Sequence, residues 1–434
     1  MQRMLTVKSD GKPDAFSFLF RRFVMTVAAA SVFAAASLGA DVVGAARNGN
    51  DNWVGTWSTA LHEPDLGVPG LSNPGFDNQT IRLIAHSSVG GTQVRVRLST
   101  FGAGRLAIGS AHIALRSAGS GIVAGTDRIL TFSGKTSITD PAGAPVLSDP
   151  VNLIVPPLSD LAVSIFVPGK TPPAAWHFES RQTTFVSQAG DFTAATVMPG
   201  GTTTAVAFFW LAGVDVLTSR QTGAIVAFGD SLTDGTQSTL DANARWPDQL
   251  ARRLMEHPSN QPMGVLNEGI AGGRMLRDSL GPNALARFDR DVLSHSGVTD
   301  VIVQLGGNDI FTINPAEEVT VDEVIQGHRQ LIVRAHEKGL KIYGCTLNPV
   351  EGFLLPGTPI PVFSPANEAK RQAVNQWIRT GGEYDGVIDF DRVLRDPNSP
   401  TRILAMYDSG DHAHPTDAGY RAMADAIDLS LFFK

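Results

Sequence analysis

Only one cysteine, Cys345, occurs among 434 residues. That excludes an intrachain disulfide. No two histidines or cysteines stand at metal-ligand spacing, and neither HExxH nor CxxC occurs, so the sequence offers no metal site. Positive charge is scarce, with 35 basic against 42 acidic residues. The first 46 residues hold five basic and three acidic ones, which leaves 30 basic and 39 acidic residues, net −9, in the remainder. Such a chain has no general attraction for nucleic acid or anionic membranes, so no nucleic-acid partner is expected. Beyond the N-terminal region no run is long and apolar enough to span a bilayer. Internal repeats and low-complexity tracts are missing as well.

The N-terminal region reads as an export signal. Arg21 and Arg22 precede the weakly apolar run FVMTVAAASVFAAASLGADVVGAA, and Gly44 and Ala46 suit a signal peptidase. The alanine-rich run with its small-residue end favours cleavage over anchoring. RRFVM also fits a loose twin-arginine pattern, so a twin-arginine and an ordinary secretory route both stay open. The expectation is a signal peptide over 1–46 and a secreted or periplasmic protein with no stable membrane span after processing.

The rest of the chain has two rhythms. From about Asn52 to Thr218 short strands and turns alternate. In TQVRVRLST, Val94, Val96 and Leu98 alternate with Arg95 and Arg97, the period of a half-buried strand. TIRLIAHSSV precedes it across Gly90-Gly91, which reads as a hairpin. Many short strands with frequent turns predict a β-sandwich over 47–218. After Gly223 the strands become continuous apolar runs: AIVAF, GVLNEG, DVIVQL, KIYGCTL and GVIDF. Helical segments lie between them, and another closes the chain. Strand–helix alternation of this kind predicts a parallel α/β sheet covered on both faces, over 219–434. Ligands of such sheets bind beyond the carboxyl ends of the strands.

Four short pieces fall at that edge: GDSLTDG, NEGIAGG, GGND and DHAHP. Ser231 follows the first strand. A serine is a poor nucleophile until a base takes its proton. Asp411 stands three residues before His414, a spacing that lets the carboxylate hold one ring nitrogen while the other faces a serine. Asn308 follows the third strand and Gly272 the second. The Asn308 amide and the backbone N–H groups of Gly272 and Ser231 are candidate oxyanion donors; Gly269 and Gly273 offer neighbouring N–H groups. Each piece alone reads as a cap, a turn or a flexible loop. Together they supply what an ester hydrolase needs: nucleophile, base, orienting acid and oxyanion donors.

These four pieces resemble the blocks of the SGNH (GDSL) hydrolase superfamily, here over about Gly223 to Lys434. GDS carries Ser231, NEGIAGG matches Gly272, GxND runs from Gly306 to Asp309 and matches Asn308, and DxxH spans Asp411 to His414. The resemblance implies a flavodoxin-like three-layer α/β/α fold, no metal or organic cofactor, and hydrolysis through an acyl-enzyme. The whole chain is similar to secreted bacterial GDSL-type esterases with an N-terminal β domain.

Other residues carry less. Asp230 reads as a turn residue, and Thr233 and Asp234 as caps of the next helix. His412 points away from the site, while Pro415 and Thr416 start the last helix. Cys345 reads as buried and inert, and Trp246 as core. The loop from Asn348 to Pro365 lies at the same sheet edge, so Phe353, Leu354 and Leu355 either line a substrate pocket or pack on their own neighbours. Arg274 and Arg277 read as structural or solvated salt links, with an anionic or sugar substrate as the alternative. Trp176 reads as core, with sugar stacking by Trp176 and His177 as the alternative. The substrate-binding residues are not assigned. The expected function is that of an exported carboxylic ester hydrolase acting on a small-molecule or glycan ester, with short acyl groups such as acetyl on carbohydrate preferred. A lipase or lysophospholipase-type acylhydrolase, an acyltransferase, and an inactive glycan-binding protein are the alternatives.

Overall fold

The computed structural model describes residues 52–433 except 69, 74, 219–221, 259 and 260. The proposed signal peptide over 1–46 lies outside the described residues.

The strand period expected from TQVRVRLST is realised. In Gly91–Ser99, Val94, Val96 and Leu98 are buried, while Arg95 and Arg97 sit half-buried on the other face. This strand belongs to a five-stranded antiparallel sheet with Asn52–Ser58, Leu211–Thr218, Pro145–Leu147 and Val151–Val155. A second antiparallel sheet of six strands contains Asp77–His86 between Asp160–Lys170 and Thr184–Ala189. Side chains of both sheets, among them Val94, Val96, Ile81, Leu83 and Ile165, meet in one hydrophobic cluster. The arrangement is a β-sandwich.

One expectation fails here. Asp77–His86 and Gly91–Ser99 do not form a hairpin; they lie in different sheets. The residues between them bond to Thr56 and Ser159 instead of to each other. Ser87 N–H donates to Ser159 O, Ser88 N–H to Thr56 O, and Val89 N–H to Thr56 Oγ1. The connection is therefore an arch from one sheet to the other.

The five apolar runs after Gly223 form one wholly parallel sheet. Its order is Gly264–Gly269, Ala224–Gly229, Val298–Gln304, Lys341–Cys345, Gly386–Ile388. In chain order that is 2-1-3-4-5, the flavodoxin-like arrangement, whose switch point lies between the first and third strands. Both faces are covered, which is why the strands are apolar throughout. Val226 and Phe228 join the cluster that extends from the sandwich. Ile225 and Ala227 face the opposite way, toward Trp246, Leu250, Tyr420 and Met423. Trp246 is core, as expected, and Cys345 is buried in the fourth strand, where burial raises its thiol pKa well above the ordinary value. The helices Trp246–Glu256, Val321–Glu337 and Pro365–Thr380 lie between strands of this sheet, as the alternation predicts. In the segment that closes the chain, Asp417–Asp425 is α-helical and Leu429–Leu431 is a 3-10 turn.

The β and α/β halves lie in one compact unit. The strand Asn52–Ser58 crosses the edge strand Gly264–Gly269, and a Cβ at Gly264 would sit 2.1 Å from Gly55 O. Glycine is required there because two backbones touch. Hydrogen bonds cross the same seam, from Gly55 N–H to Ser296 O and from Val265 N–H to Ser88 Oγ, both at 2.9 Å. Among the described residues no helix is long and apolar enough to cross a membrane.

Candidate active site

The first strand ends at Gly229, and Asp230 caps a four-residue helix, Ser231–Asp234. The Asp230 Oδ1 atom accepts the Leu232 N–H at 3.1 Å, and its carbonyl accepts those of Thr233 and Asp234. Asp230 is thus structural, and burial pushes its carboxyl pKa up to about 7. This cap leaves Ser231 at the first helical position, where a backbone N–H has no helical acceptor.

On the other side of the site, Asp411 organises its own turn. Its Oδ1 accepts the N–H groups of Ala413 and His414 at 3.0 and 2.8 Å. Its Oδ2 lies 2.7 Å from His414 Nδ1, and His414 Nε2 lies 2.8 Å from Ser231 Oγ. Burial opposes the charge on Asp411, but the His414 ring and the two N–H donors outweigh it and hold this carboxyl well below the usual range. The turn is pinned further by Asn348, whose Nδ2 donates to Ala413 O at 3.1 Å. Thr416 caps the last helix through the Gly419 N–H. His412 turns away, as expected, and pairs with Asp408 at 2.6 Å.

The oxyanion candidates can be sorted by which donors are already used. The Gly269 N–H is taken by Asn267 Oδ1 at 2.9 Å, and the Gly273 N–H by Ile270 O at 2.8 Å. Among the described residues neither the Gly272 nor the Ser231 N–H has an acceptor. Gly272 adopts φ +69°, and a Cβ there would lie 2.9 Å from Leu280 Cδ1. The left-handed backbone therefore favours glycine here. Asn308 Nδ2 donates to Gly273 O at 3.0 Å, which uses one of its two hydrogens and leaves the other. Three uncommitted donors thus belong to the ends of the first, second and third strands, at the switch point of the sheet.

Several secondary expectations are now decided. Thr233 and Asp234 do not cap the next helix. Thr233 Oγ1 donates to Gln304 Oε1 at 3.3 Å, and Asp234 accepts the Ala271 N–H at 3.1 Å. The next helix is held instead by Arg245 and Asp248 at 2.8 Å. Arg274 pairs with Glu317 at 2.5 Å, and Arg277 donates to Ala316 O, so both are structural links. Phe353 and Leu355 pack with Val350, Val362 and Ala413, whereas Leu354 is exposed. The Phe353 ring also stands edge-on to His414, 5.8 Å between centroids. Trp176 and His177 are buried, with Trp176 Nε1 donating to Glu63 O, so neither presents a face to a sugar.

The roles of three acids escaped the sequence reading. Asp309, next to Asn308, accepts the N–H groups of Met275 and Leu276 and ties the loop after Gly272 to the third strand's end. Asp234 holds Ala271, and GDSLTDG did contain it. Glu179, from the β half, sits beside Thr236; burial and the negative charge of Asp234 raise its pKa. Nothing local in the sequence marks Glu179 for that position.

Residues 227–422 match the GDSL-like lipase/acylhydrolase family. No curated protein sequence matches the chain. Among solved structures, it is similar to a putative lipolytic protein of the G-D-S-L family from Desulfitobacterium hafniense, at 20% identity over 47% of this chain and 96% of that one, TM-score 0.35. The aryl esterase of M. smegmatis matches at 19% identity over 47% of this chain and 95% of that one, TM-score 0.37. An acetylxylan esterase from Geobacillus stearothermophilus, solved as a catalytic mutant, matches at 20% over 50% and 98%, TM-score 0.36. Residues 227–422, which carry the four blocks from Ser231 to His414, thus form a GDSL-like lipase/acylhydrolase (SGNH-type) domain.

Proposed function

We propose that the protein is an exported serine esterase that works through a Ser231–His414–Asp411 triad and an acyl-enzyme. The observation that carries this reading is the continuous hydrogen-bonded line from Ser231 Oγ through His414 to Asp411, at 2.8 and 2.7 Å. His414 Nε2 takes the Ser231 proton as Oγ attacks the ester carbonyl. Asp411 keeps the Nδ1–H in place and stabilises the imidazolium. The oxyanion is held by the N–H groups of Ser231 and Gly272 and by the free Asn308 Nδ2–H. The imidazolium then protonates the departing alcohol. Water attacks the acyl-enzyme, with His414 taking its proton and returning it to Ser231 as the acid leaves.

Short acyl groups, acetyl on carbohydrate among them, are the proposed substrates. The segment beside His414 supports this choice: residues 348–364 form an irregular loop, not the long amphipathic helix of a lipase lid. The test is hydrolysis of p-nitrophenyl acetate, butyrate and palmitate by the mature protein, with Ser231→Ala in parallel. Short-chain turnover that vanishes in the variant is the expected result. Turnover that survives the substitution would overturn the triad. Glycan binding without ester cleavage would favour the binding-protein alternative.

A further inference from the structure

A buried polar chain runs from the β half to the loop that carries Gly272. His177 lies in the two-residue strand Trp176–His177 of that half and is 2% exposed. Its Nδ1 stands 2.7 Å from Ala60 O, and its Nε2 stands 2.9 Å from Asp234 Oδ1. The second oxygen of Asp234 accepts the Ala271 N–H at 3.1 Å. Ala271 immediately precedes Gly272.

The protons on this chain follow from its acceptors. A carbonyl oxygen can only accept, so His177 Nδ1 carries a hydrogen. Its Nε2 faces Asp234 Oδ1, and donates a second hydrogen to that oxygen when the carboxyl is ionised. The ring is then an imidazolium, paired with Asp234 inside the protein. Burial disfavours that charge, but Asp234 and the Ala60 carbonyl outweigh it and raise the pKa of His177. The other titratable groups around the pair are His62, whose ring centroid is 5.1 Å from that of His177, and Glu179, Arg245 and Tyr420.

This pairing bears on the oxyanion donor. The Gly272 N–H lies between two anchored amides: Ala271, held by Asp234, and Gly273, held by Ile270 O. Releasing Ala271 frees the peptide that carries the Gly272 N–H. A buried ion pair whose only task was stability could be replaced by apolar side chains at little cost. Here one partner also supplies a hydrogen bond to the loop.

We propose that His177 is a positioning residue for ester hydrolysis: it fixes Asp234, which fixes Ala271 and so aims the Gly272 N–H at the oxyanion. The β half is on this account a working part of the active site. The inference rests on the triad and oxyanion reading above.

The test uses the mature full-length protein and p-nitrophenyl acetate, with Ser231→Ala as the control for the triad. Asp234→Ala and His177→Ala should each lower kcat about 10- to 100-fold and leave KM within about threefold, as expected for a misplaced oxyanion donor. Asp234→Asn should recover kcat to within about fivefold of the unsubstituted protein. Its amide oxygen can still accept the Ala271 N–H, and its NH2 can donate to a neutral His177 Nε2. A purely structural pair would lower thermal stability without separating kcat from KM. Ser231-dependent turnover that is unaltered in Asp234→Ala would overturn this inference and leave the triad standing. Turnover independent of Ser231 would overturn both. A loss in Asp234→Asn as deep as in Asp234→Ala would overturn the hydrogen-bonding role. Nitrogen-15 histidine spectra give a readout that needs no variant to be active. Both ring nitrogens of His177 should be protonated at neutral pH, and a signal from a singly protonated ring would refute the assignment.

Discussion

Asn308→Ala separates chemistry from architecture at one side chain. The Asn308 NH2 has two hydrogens, and one is spent on Gly273 O at 3.0 Å. The substitution removes both. Loss of the structural bond should cost about 0.5–1.5 kcal/mol of folding stability, the net value of a neutral hydrogen bond. Loss of the second hydrogen removes one of the three proposed oxyanion donors. That should lower kcat about 10²- to 10³-fold, or roughly 2.7–4 kcal/mol of transition-state stabilisation. KM should change little, because the donor engages charge that develops only in the transition state. The two effects are read in different experiments: urea denaturation for the first, and initial rates with p-nitrophenyl acetate for the second. Asn308→Asp is the control, since it keeps the shape but presents acceptors to the oxyanion and to Gly273 O. It should be at least as inactive as the alanine variant. A kcat change under about threefold in Asn308→Ala would refute the oxyanion role, whatever happens to stability.

Asp230 makes a pH-dependent prediction. Burial pushes its carboxyl up to about 7 in the folded protein, against about 3.9 when unfolded. Its contribution to stability is therefore complete below about pH 4 and is lost as the pH rises through about 7. Asp230→Asn cannot ionise and keeps an acceptor for the Leu232 N–H. It should gain stability relative to the unsubstituted protein between pH 5 and pH 8, by at most a few kcal/mol; urea denaturation showing equal differences at the two pH values would contradict this. Arg371 tests the scaffold under the His414 turn. Its fully buried guanidinium donates to Glu368, to Asp391 at 2.6 Å and to Leu347 O at 2.6 Å, one residue before Asn348. Arg371→Met strands those acceptors and should cost about 3–5 kcal/mol in denaturant unfolding; a loss under about 1 kcal/mol would show that the network relaxes freely.

The legible features were those set by a few consecutive residues. Alternation at Val94, Val96 and Leu98 marked a half-buried strand, and unbroken runs such as AIVAF marked strands covered on both faces. The site was legible for a similar reason. The spacing of Asp411 and His414 lets one turn satisfy both, and Ser231, Gly272 and Asn308 each follow a strand of one parallel sheet. Tertiary structure decided what pairs across long stretches of chain. Gly90-Gly91 looked like a hairpin, but Thr56 and Ser159 captured its neighbours and turned it into an arch. The free N–H of Gly272 emerged only once Asn267 and Ile270 were seen to occupy those of Gly269 and Gly273. His177 and Asp234 are 57 positions apart, and no local pattern joins an imidazole in a β-sandwich to an acid beside the candidate nucleophile. Periodicity and turn chemistry are short-range, so sequence determined the elements and their motifs. Buried polar partners are chosen by packing, because each must be satisfied by whatever the fold brings within about 3 Å.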